Sequence, residues 1–210
     1  MLWLHGVNIY LFFAITIQFN RMKRIVIFAS GSGSNAENII KYFNTTKTAI
    51  VTHVLSNNEH AKVKERCKRL KINFLHFTKT QFNDSDYILE FLKKEADYII
   101  LAGFLKKVPE KITQAFPNKM INIHPALLPN YGGKGMYGMH VHKAVKENNE
   151  PETGITIHFV NEKYDDGAII FQAKTTLNSD DTPETIAQKV HELEYEHFPR
   201  VIEEVIINNG

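Results

Sequence analysis

One segment, NIHPALLPNYGGKGMYGMHVH at residues 122–142, concentrates polar and titratable side chains in a stretch rich in glycine and proline. Asn122 and His124 are two positions apart at the end of a predicted strand, so both side chains point to the same side. An amide can donate a hydrogen bond to a developing oxyanion, and a protonated histidine can add a second donor or move a proton. EKYDDGA supplies a carboxylate that would keep the histidine charged, at Asp165 or Asp166. This combination suits acyl transfer.

The histidines of this segment also allow a metal site as an alternative. His124, His140 and His142 could act as ligands together with Asp165. Their spacing matches no zinc signature, and a His-x-His metal pair usually lies on a strand, whereas residues 140–142 are predicted to open a helix. We therefore expect no metal, and we expect His140 to cap the helix and His142 to pack. No serine has a recognisable base near it in the sequence, so acyl transfer should proceed without a covalent enzyme intermediate.

A second motif, ASGSGSNAENII, joins the first predicted strand to the first predicted helix. It fits the G-x-G-x-x-A form of the dinucleotide fingerprint through Gly31, Gly33 and Ala36. The next strand ends in asparagines at positions 57 and 58, where that fingerprint needs an acidic residue, so NAD is disfavoured. The helix N-terminus, with Ser34 and Asn35, can still hold a phosphate or another anion. The alternative is a tight turn that only starts a helix.

Strand and helix patterns alternate around these motifs from residue 24 onward. Apolar runs predict strands in RIVIFAS, AIVTHVLS, NFLHF, DYIILAGF and KMINIH. Helical periodicity appears in NAENIIKYF, EHAKVKERCKRL, QFNDSDYILEFLKKEA and VPEKITQAF. This alternation predicts an α/β fold with an open, mostly parallel sheet and helices on both faces. Ligand sites in such sheets lie beyond the carboxyl ends of the strands, which is where Asn122 and His124 stand.

The C-terminal third changes its pattern. HVHKAVKEN is a predicted helix, and GITIHFVNE and AIIFQAKTTL alternate apolar and polar residues, which predicts an antiparallel hairpin added to the sheet. A final helix follows, with Asp181 or Thr182 as its cap and Pro183 in its first turn. Pro199 is expected to end or kink this helix. No repeat or linker is evident, so residues 22–210 are expected to form one domain.

The first 21 residues differ from the rest. Residues 2–19 carry no Asp, Glu, Lys or Arg, which allows a membrane helix or a signal peptide. The basic residues follow the run instead of preceding it, and no cleavage site is evident. We expect the domain to begin at Met22, with residues 1–21 an apolar leader outside it.

The net charge of +2 is too small to indicate a nucleic acid or a membrane surface as partner. Cys67 cannot form an internal disulfide and is expected to be a small apolar residue on a helix.

Five motifs in order, ASGSGSN, LAGFLKKVP, INIHPALLP, GITIHFVNEKYDDG and KVHELEYEHFP, resemble those of the phosphoribosylglycinamide formyltransferases. The resemblance runs from about Met22 to the end. It implies a Rossmann-like formyltransferase fold and transfer of a formyl group from 10-formyltetrahydrofolate to glycinamide ribonucleotide in de novo purine synthesis. It also implies a cytoplasmic monomer or homodimer that acts on small molecules, without a metal.

The same resemblance implies roles for individual residues. Asn122, His124 and Asp165 match the catalytic trio, and Asp165 is preferred over Asp166 because it lies seven residues after His158. Residues matching the substrate site are Gly33, Ser34 and Asn35 for the phosphate and Glu194 for the sugar. Residues matching the folate pocket are Leu105, Lys106, Lys107, Val108 and Asn122.

Three departures from the family pattern stand out. Asp166 replaces a usual glycine after the catalytic aspartate, which leaves the choice between Asp165 and Asp166 open. Lys106 occupies a position where many relatives carry arginine, which puts planar bidentate contacts there in doubt. The loop Gly132–Met139 is longer than in many relatives, its glycines suggest a mobile flap, and Lys134 could reach a phosphate.

Other functions remain as alternatives. Methionyl-tRNA formyltransferase and formyltetrahydrofolate hydrolase resemble this domain but add further domains, for which we expect no residues here. A non-catalytic nucleotide-binding module would leave Asn122, His124 and Asp165 unexplained.

Overall fold

The computed structural model describes residues 22–209, so the predicted leader lies outside the described residues. The strands are β1 (Lys23–Phe28), β2 (Ala49–Ser56), β3 (Asn73–His76), β4 (Tyr98–Leu101), β5 (Met120–His124), β6 (Glu152–Phe159) and β7 (Ile169–Thr176). They form one sheet in the order β3-β2-β1-β4-β5-β6-β7. Strands β1 to β5 pair in parallel, whereas β6 runs antiparallel to β5 and β7 antiparallel to β6. The predicted parallel sheet with an antiparallel addition is confirmed.

The helices are α1 (Ser34–Thr46), α2 (Val63–Leu70), α3 (Lys79–Asn83), α4 (Tyr87–Glu95), α5 (Glu110–Ala115), α6 (Met139–Glu147) and α7 (Pro183–Asn208). Among residues 22–209, none of these helices has both the length and the apolar character needed to cross a membrane.

Side chains that alternate along β1 divide between two hydrophobic cores, one on each face of the sheet. Ile25 and Ile27 pack with apolar residues of α1, α2, α6 and α7. Val26 and Phe28 pack with apolar residues of α3, α4 and α5. Each such side chain is at most 1% exposed, and burial of one contributes about 1.5–3 kcal/mol. Cys67 belongs to the first core, and its burial raises the pKa of the thiol to about 11.

The single helix predicted over QFNDSDYILEFLKKEA is wrong, because α3 and α4 divide that segment. Thr78 opens α3 with a reciprocal capping box to Gln81. Ser85 then donates its hydroxyl to the Gln81 carbonyl oxygen and accepts a hydrogen bond from the Tyr87 N–H. Such local side-chain bonds compete with the helical backbone pattern and end the first helix.

Pro199 does not end α7, which continues to Asn208. A proline lacks the N–H that would bond to the carbonyl four residues earlier, here that of Tyr195. The Asn38 side chain in α1 donates to this carbonyl oxygen at 2.9 Å. The helix therefore tolerates the proline because a neighbouring helix supplies the missing donor.

Thr182, one of the two predicted caps, accepts a hydrogen bond from the Thr185 N–H and caps α7.

Candidate active site

A cavity of about 860 Å³ opens at the carboxyl ends of the central parallel strands. The strand order reverses between β1 and β4, and crevices at such reversals are the usual ligand sites of open α/β sheets. The loops that follow β1, β4, β5 and β6 line this cavity, together with the beginning of α6 and the N-terminal half of α7. Both sequence motifs therefore contribute to one site.

Asn122 is held in orientation by a neighbouring histidine. In the antiparallel register of β5 and β6, Asn122 lies opposite His158. The Asn122 amide nitrogen donates to His158 Nε2 at 3.0 Å, and His158 Nδ1 donates to the Phe159 carbonyl oxygen at 2.8 Å. These contacts require a neutral ring with its proton on Nδ1. Burial lowers the pKa of His158, which favours this neutral form.

His124 lies at the end of β5 and is only 3% exposed. Its Nε2 donates to the Tyr131 carbonyl oxygen at 2.7 Å. The Tyr131 hydroxyl donates in turn to Glu150 at 2.6 Å. This chain ties the loop after β5 to the imidazole and leaves Nδ1 as the nitrogen that faces the carboxylate of Asp165.

Asp165 brings a carboxylate to both histidines. One oxygen lies 3.6 Å from His124 Nδ1, and the other lies 3.8 Å from His158 Nε2. The first oxygen also accepts the Gly133 N–H at 2.8 Å. The Asp165 backbone has a φ of 52°, a left-handed conformation that costs about 1 kcal/mol or more in a non-glycine residue. The neighbouring Asp166 is 52% exposed and pairs with Lys163, so the geometry favours Asp165.

The loop between β6 and β7 that carries Asp165 is held close to the end of β6. A Cβ atom at Gly167 would lie 1.7 Å from the Phe159 carbonyl oxygen, so only glycine fits. That carbonyl is the one that accepts the His158 ring proton.

The glycine loop after β1 begins α1 directly beneath the cavity. Gly33 has a φ of 71°, and a Cβ there would lie 2.2 Å from the Val63 side chain, so the turn requires glycine. The Ser32 and Ser34 hydroxyls are 3.4 Å apart and both residues line the cavity. This arrangement presents hydroxyls and a helix N-terminus to an anion.

Polar groups from α1 and α7 form another wall of the cavity. The Asn35 amide nitrogen and the His191 Nδ1 both contact the same carboxylate oxygen of Glu194, each at 2.9 Å. The Asn35 amide oxygen and His142 Nδ1 are buried and have no hydrogen-bond partner among the described residues. Buried polar atoms are normally paired, and both of these residues line the cavity, so the two atoms are available to a ligand or to water. Burial lowers the pKa of His142, which favours a neutral ring able to accept a hydrogen bond.

Comparison with known proteins supports the resemblance seen in the sequence. A family model described as "Formyl transferase" matches residues 23–202. The chain belongs to the formyl transferase family.

Two relatives of this chain are named as phosphoribosylglycinamide formyltransferases. The chain is 38% identical over 189 residues to a chloroplastic phosphoribosylglycinamide formyltransferase of Arabidopsis thaliana, covering 87% of this chain and 65% of that protein. It is 35% identical over 195 residues to phosphoribosylglycinamide formyltransferase of Bacillus subtilis, covering 90% and 97%. The chain thus spans slightly less than two thirds of its plant relative and almost the whole of this bacterial one.

Solved structures confirm the Rossmann-like formyl transferase fold. Glycinamide ribonucleotide transformylase 1 from Symbiobacterium toebii superposes with a TM-score of 0.81 at 29% identity, covering 89% of each chain. The phosphoribosylglycinamide formyltransferase from Bacillus halodurans gives a TM-score of 0.78 at 32% identity, covering 88% of this chain and 95% of that one.

Not every predicted site residue of this formyl transferase reaches the cavity. Those that line it are Ser34, Asn35, Leu105, Asn122, His124, Asp165 and Glu194. Gly33 supplies the turn without lining the cavity. Lys106 and Lys107 are exposed outside the lining, and Val108 is only 5% exposed and packs in the core. The folate-binding roles of these three residues remain predictions.

The predicted cap role of His140 is wrong. Helix α6 begins at Met139 after Gly138, so His140 falls within the first turn, where it is exposed and its ring lies 5.3 Å from that of Tyr137. His142 is buried as expected, but it also lines the cavity. Within residues 22–209, no group of three or more His, Cys, Asp or Glu residues could hold a metal ion.

Sequence reasoning missed the parts played by His158, Tyr131 and His191. The alternation along β6 places His158 and Thr156 on one face, which is a partial signal. The partner of His158 on β5 depends on strand register, which the sequence does not show.

Proposed function

We propose that the protein transfers the formyl group of 10-formyltetrahydrofolate to the amine of glycinamide ribonucleotide in purine synthesis. The observation that carries this proposal is the convergence of an amide, an imidazole and a carboxylate, from Asn122, His124 and Asp165, in a cavity that also contains the Ser32–Asn35 loop. The names of the bacterial and plant relatives support the same acceptor and reaction.

The proposed mechanism is direct attack. The neutral amine of the acceptor attacks the formyl carbon, a C–N bond forms, and the carbonyl oxygen becomes an oxyanion. The Asn122 amide, oriented by His158, donates a hydrogen bond to that oxygen, and the positive charge of a protonated His124 stabilises it. For His124 Nε2–H to donate to the oxyanion as well, it must exchange the Tyr131 carbonyl oxygen for it. The tetrahedral intermediate then collapses, the bond from carbon to the folate nitrogen breaks, and a proton passes from the new amide nitrogen to the folate nitrogen.

Asp165 has two roles in this mechanism. Its carboxylate stabilises the imidazolium of His124 across 3.6 Å, and it can relay the transferred proton through water. The cavity wall of Asn35 and Glu194 suits the hydroxyl groups of a ribose, because carboxylate and amide oxygens accept their protons.

A transfer assay tests the proposal. Purified protein is mixed with 10-formyltetrahydrofolate and either glycinamide ribonucleotide or methionyl-tRNA. We expect transfer to the nucleotide and none to the tRNA, and we expect Asn122→Ala or His124→Ala to lower kcat a hundredfold or more, the range for a lost oxyanion donor. Transfer to tRNA alone, hydrolysis without an acceptor, or wild-type turnover in either variant would contradict the proposal.

A further inference from the structure

The cations next to the glycine loop are already engaged by a buried carboxylate. Glu37 in α1 is 6% exposed and forms ion pairs with Lys41, Arg66 and Arg69. Arg66 also donates through Nε to the Ser32 carbonyl oxygen at 2.7 Å. These side chains fix the loop to α2. Glu37 offsets one of their three positive charges, and none of the three cations lines the cavity.

Unlike those three cations, Lys134 belongs to the cavity lining. Of the described residues that line it, Lys134 is the only lysine or arginine, and two carboxylates, Asp165 and Glu194, lie in the same lining. A phosphate group entering this cavity would meet net negative charge without that lysine. Within residues 22–209, the Lys134 ammonium has no ion pair and no hydrogen bond, so its charge is available to a ligand.

The backbone around Lys134 is anchored although its side chain is exposed. The preceding residue, Gly133, donates its N–H to Asp165, and its carbonyl oxygen accepts the Met136 N–H at 3.1 Å. Lys134 therefore lies in a turn that is closed by the hydrogen bond between Met136 and Gly133 and is held to the Asp165 carboxylate. The long, flexible side chain can change position while its Cα stays in place.

We propose that Lys134 is a binding and specificity residue that pairs with the phosphate of the acceptor substrate; this inference rests on the proposed function. The glycine loop supplies hydroxyls and backbone N–H groups to the phosphate, and Lys134, from the loop after β5, supplies the neutralising charge. A carboxylate on the folate is the competing anion. The phosphate is favoured because Ser32, Ser34 and Lys134 line one cavity, whereas Lys106 and Lys107, within the predicted folate segment, are exposed and can meet that carboxylate.

Steady-state kinetics of Lys134→Met test this assignment, with Lys134→Arg as the charge-preserving variant. Lys119→Met is the matched control, because Lys119 is exposed and precedes β5 at the opposite end of the sheet. We expect kcat/KM for glycinamide ribonucleotide to fall about ten- to a hundredfold in Lys134→Met, the range for a lost charged hydrogen bond. Most of this loss should be in KM, Lys134→Arg should recover most of it, and the KM for the folate should change less than twofold.

An acceptor without the phosphate, glycinamide riboside, gives the decisive comparison. Wild type and Lys134→Met should use it equally, because the group that the lysine contacts is gone. Equal losses on both acceptors, a rise in the folate KM in place of the nucleotide KM, or no change on the nucleotide would overturn the inference.

Binding of ribose 5-phosphate by calorimetry separates this inference from the proposed function, because it needs no catalysis. Weaker binding to Lys134→Met than to wild type supports the phosphate contact even if the wild type transfers no formyl group. Equal binding by the two proteins rejects it.

Discussion

Replacing Asp165 by asparagine should lower turnover strongly while leaving the fold unchanged. The carboxylate lies 3.6 Å from His124 Nδ1, and the two side chains are only 12% and 4% exposed. Coulomb's law gives about 5 kcal/mol for such a pair at an effective dielectric constant of about 20, and about 1 kcal/mol in bulk water. Because both groups are largely buried, we expect a loss between these two values. A fall in kcat of a hundredfold or more, equal to about 3 kcal/mol, is therefore expected.

The asparagine variant is well matched because its amide oxygen can still accept the Gly133 N–H that holds the loop. The next residue provides the control. Asp166→Asn removes the same charge one position further on, but this side chain is 52% exposed and pairs with an exposed lysine. Exposed ion pairs contribute roughly 0–1 kcal/mol, so this variant should stay within about threefold of wild type.

The assay is initial-rate formyl transfer at saturating substrates, with thermal unfolding of each variant as a check of folding. If Asp166→Asn lost more activity than Asp165→Asn, or if Asp165→Asn turned over like wild type, the assignment of the carboxylate would be refuted.

Three further predictions concern two hydrogen bonds at the site and one that supports α7. His158→Leu removes the acceptor of the Asn122 amide, so kcat should fall about tenfold with little change in KM, as measured by steady-state kinetics; an unchanged kcat would show that the amide needs no partner. Tyr131→Phe removes the hydroxyl bond to Glu150 but keeps the carbonyl that accepts the His124 proton, so kcat should fall a few fold and melting should show a loss of about 1 kcal/mol. Asn38→Ala should destabilise the protein by about 1 kcal/mol in chemical denaturation, and by much less in a Pro199→Ala background, where a backbone N–H returns to the orphaned carbonyl; equal losses in both backgrounds would reject the explanation for the unbroken helix.

Much of the fold could be predicted because apolar runs and helical periodicity are local properties. The run AIVTHVLS corresponds residue for residue to β2, and KMINIH contains β5. The differences have two causes. Local side-chain bonds of Thr78 and Ser85 divide one predicted helix into two, and a distant side chain lets α7 continue past Pro199. Pro199 looks like a helix breaker until the Asn38 amide is seen at the carbonyl it orphans, 157 residues away in the sequence.

In the candidate site too, local sequence patterns predict some residues, whereas others depend on contacts between distant parts of the chain. Asn122 and His124 were predicted from the period of a strand, which places both side chains on one face. Asp165 was preferred through a family resemblance, and its distance from His124 depends on how the β6–β7 connection folds back. His158 could not be assigned, because its partner is set by an antiparallel register in which a shift of one residue would reverse the face of every side chain.

Gly167 links a backbone requirement to the chemistry. The carbonyl oxygen of Phe159 leaves no room for a side chain at position 167. The same oxygen accepts the His158 Nδ1 proton, so His158 Nε2 is the nitrogen that accepts a hydrogen bond. A single methyl group added at position 167 would have to displace this carbonyl, and the displacement would pass through the ring to the Asn122 amide, which lies 45 positions earlier in the chain. An alanine here would therefore impair catalysis without touching any substrate, and a screen for inactive variants would recover it alongside changes in the reacting groups themselves.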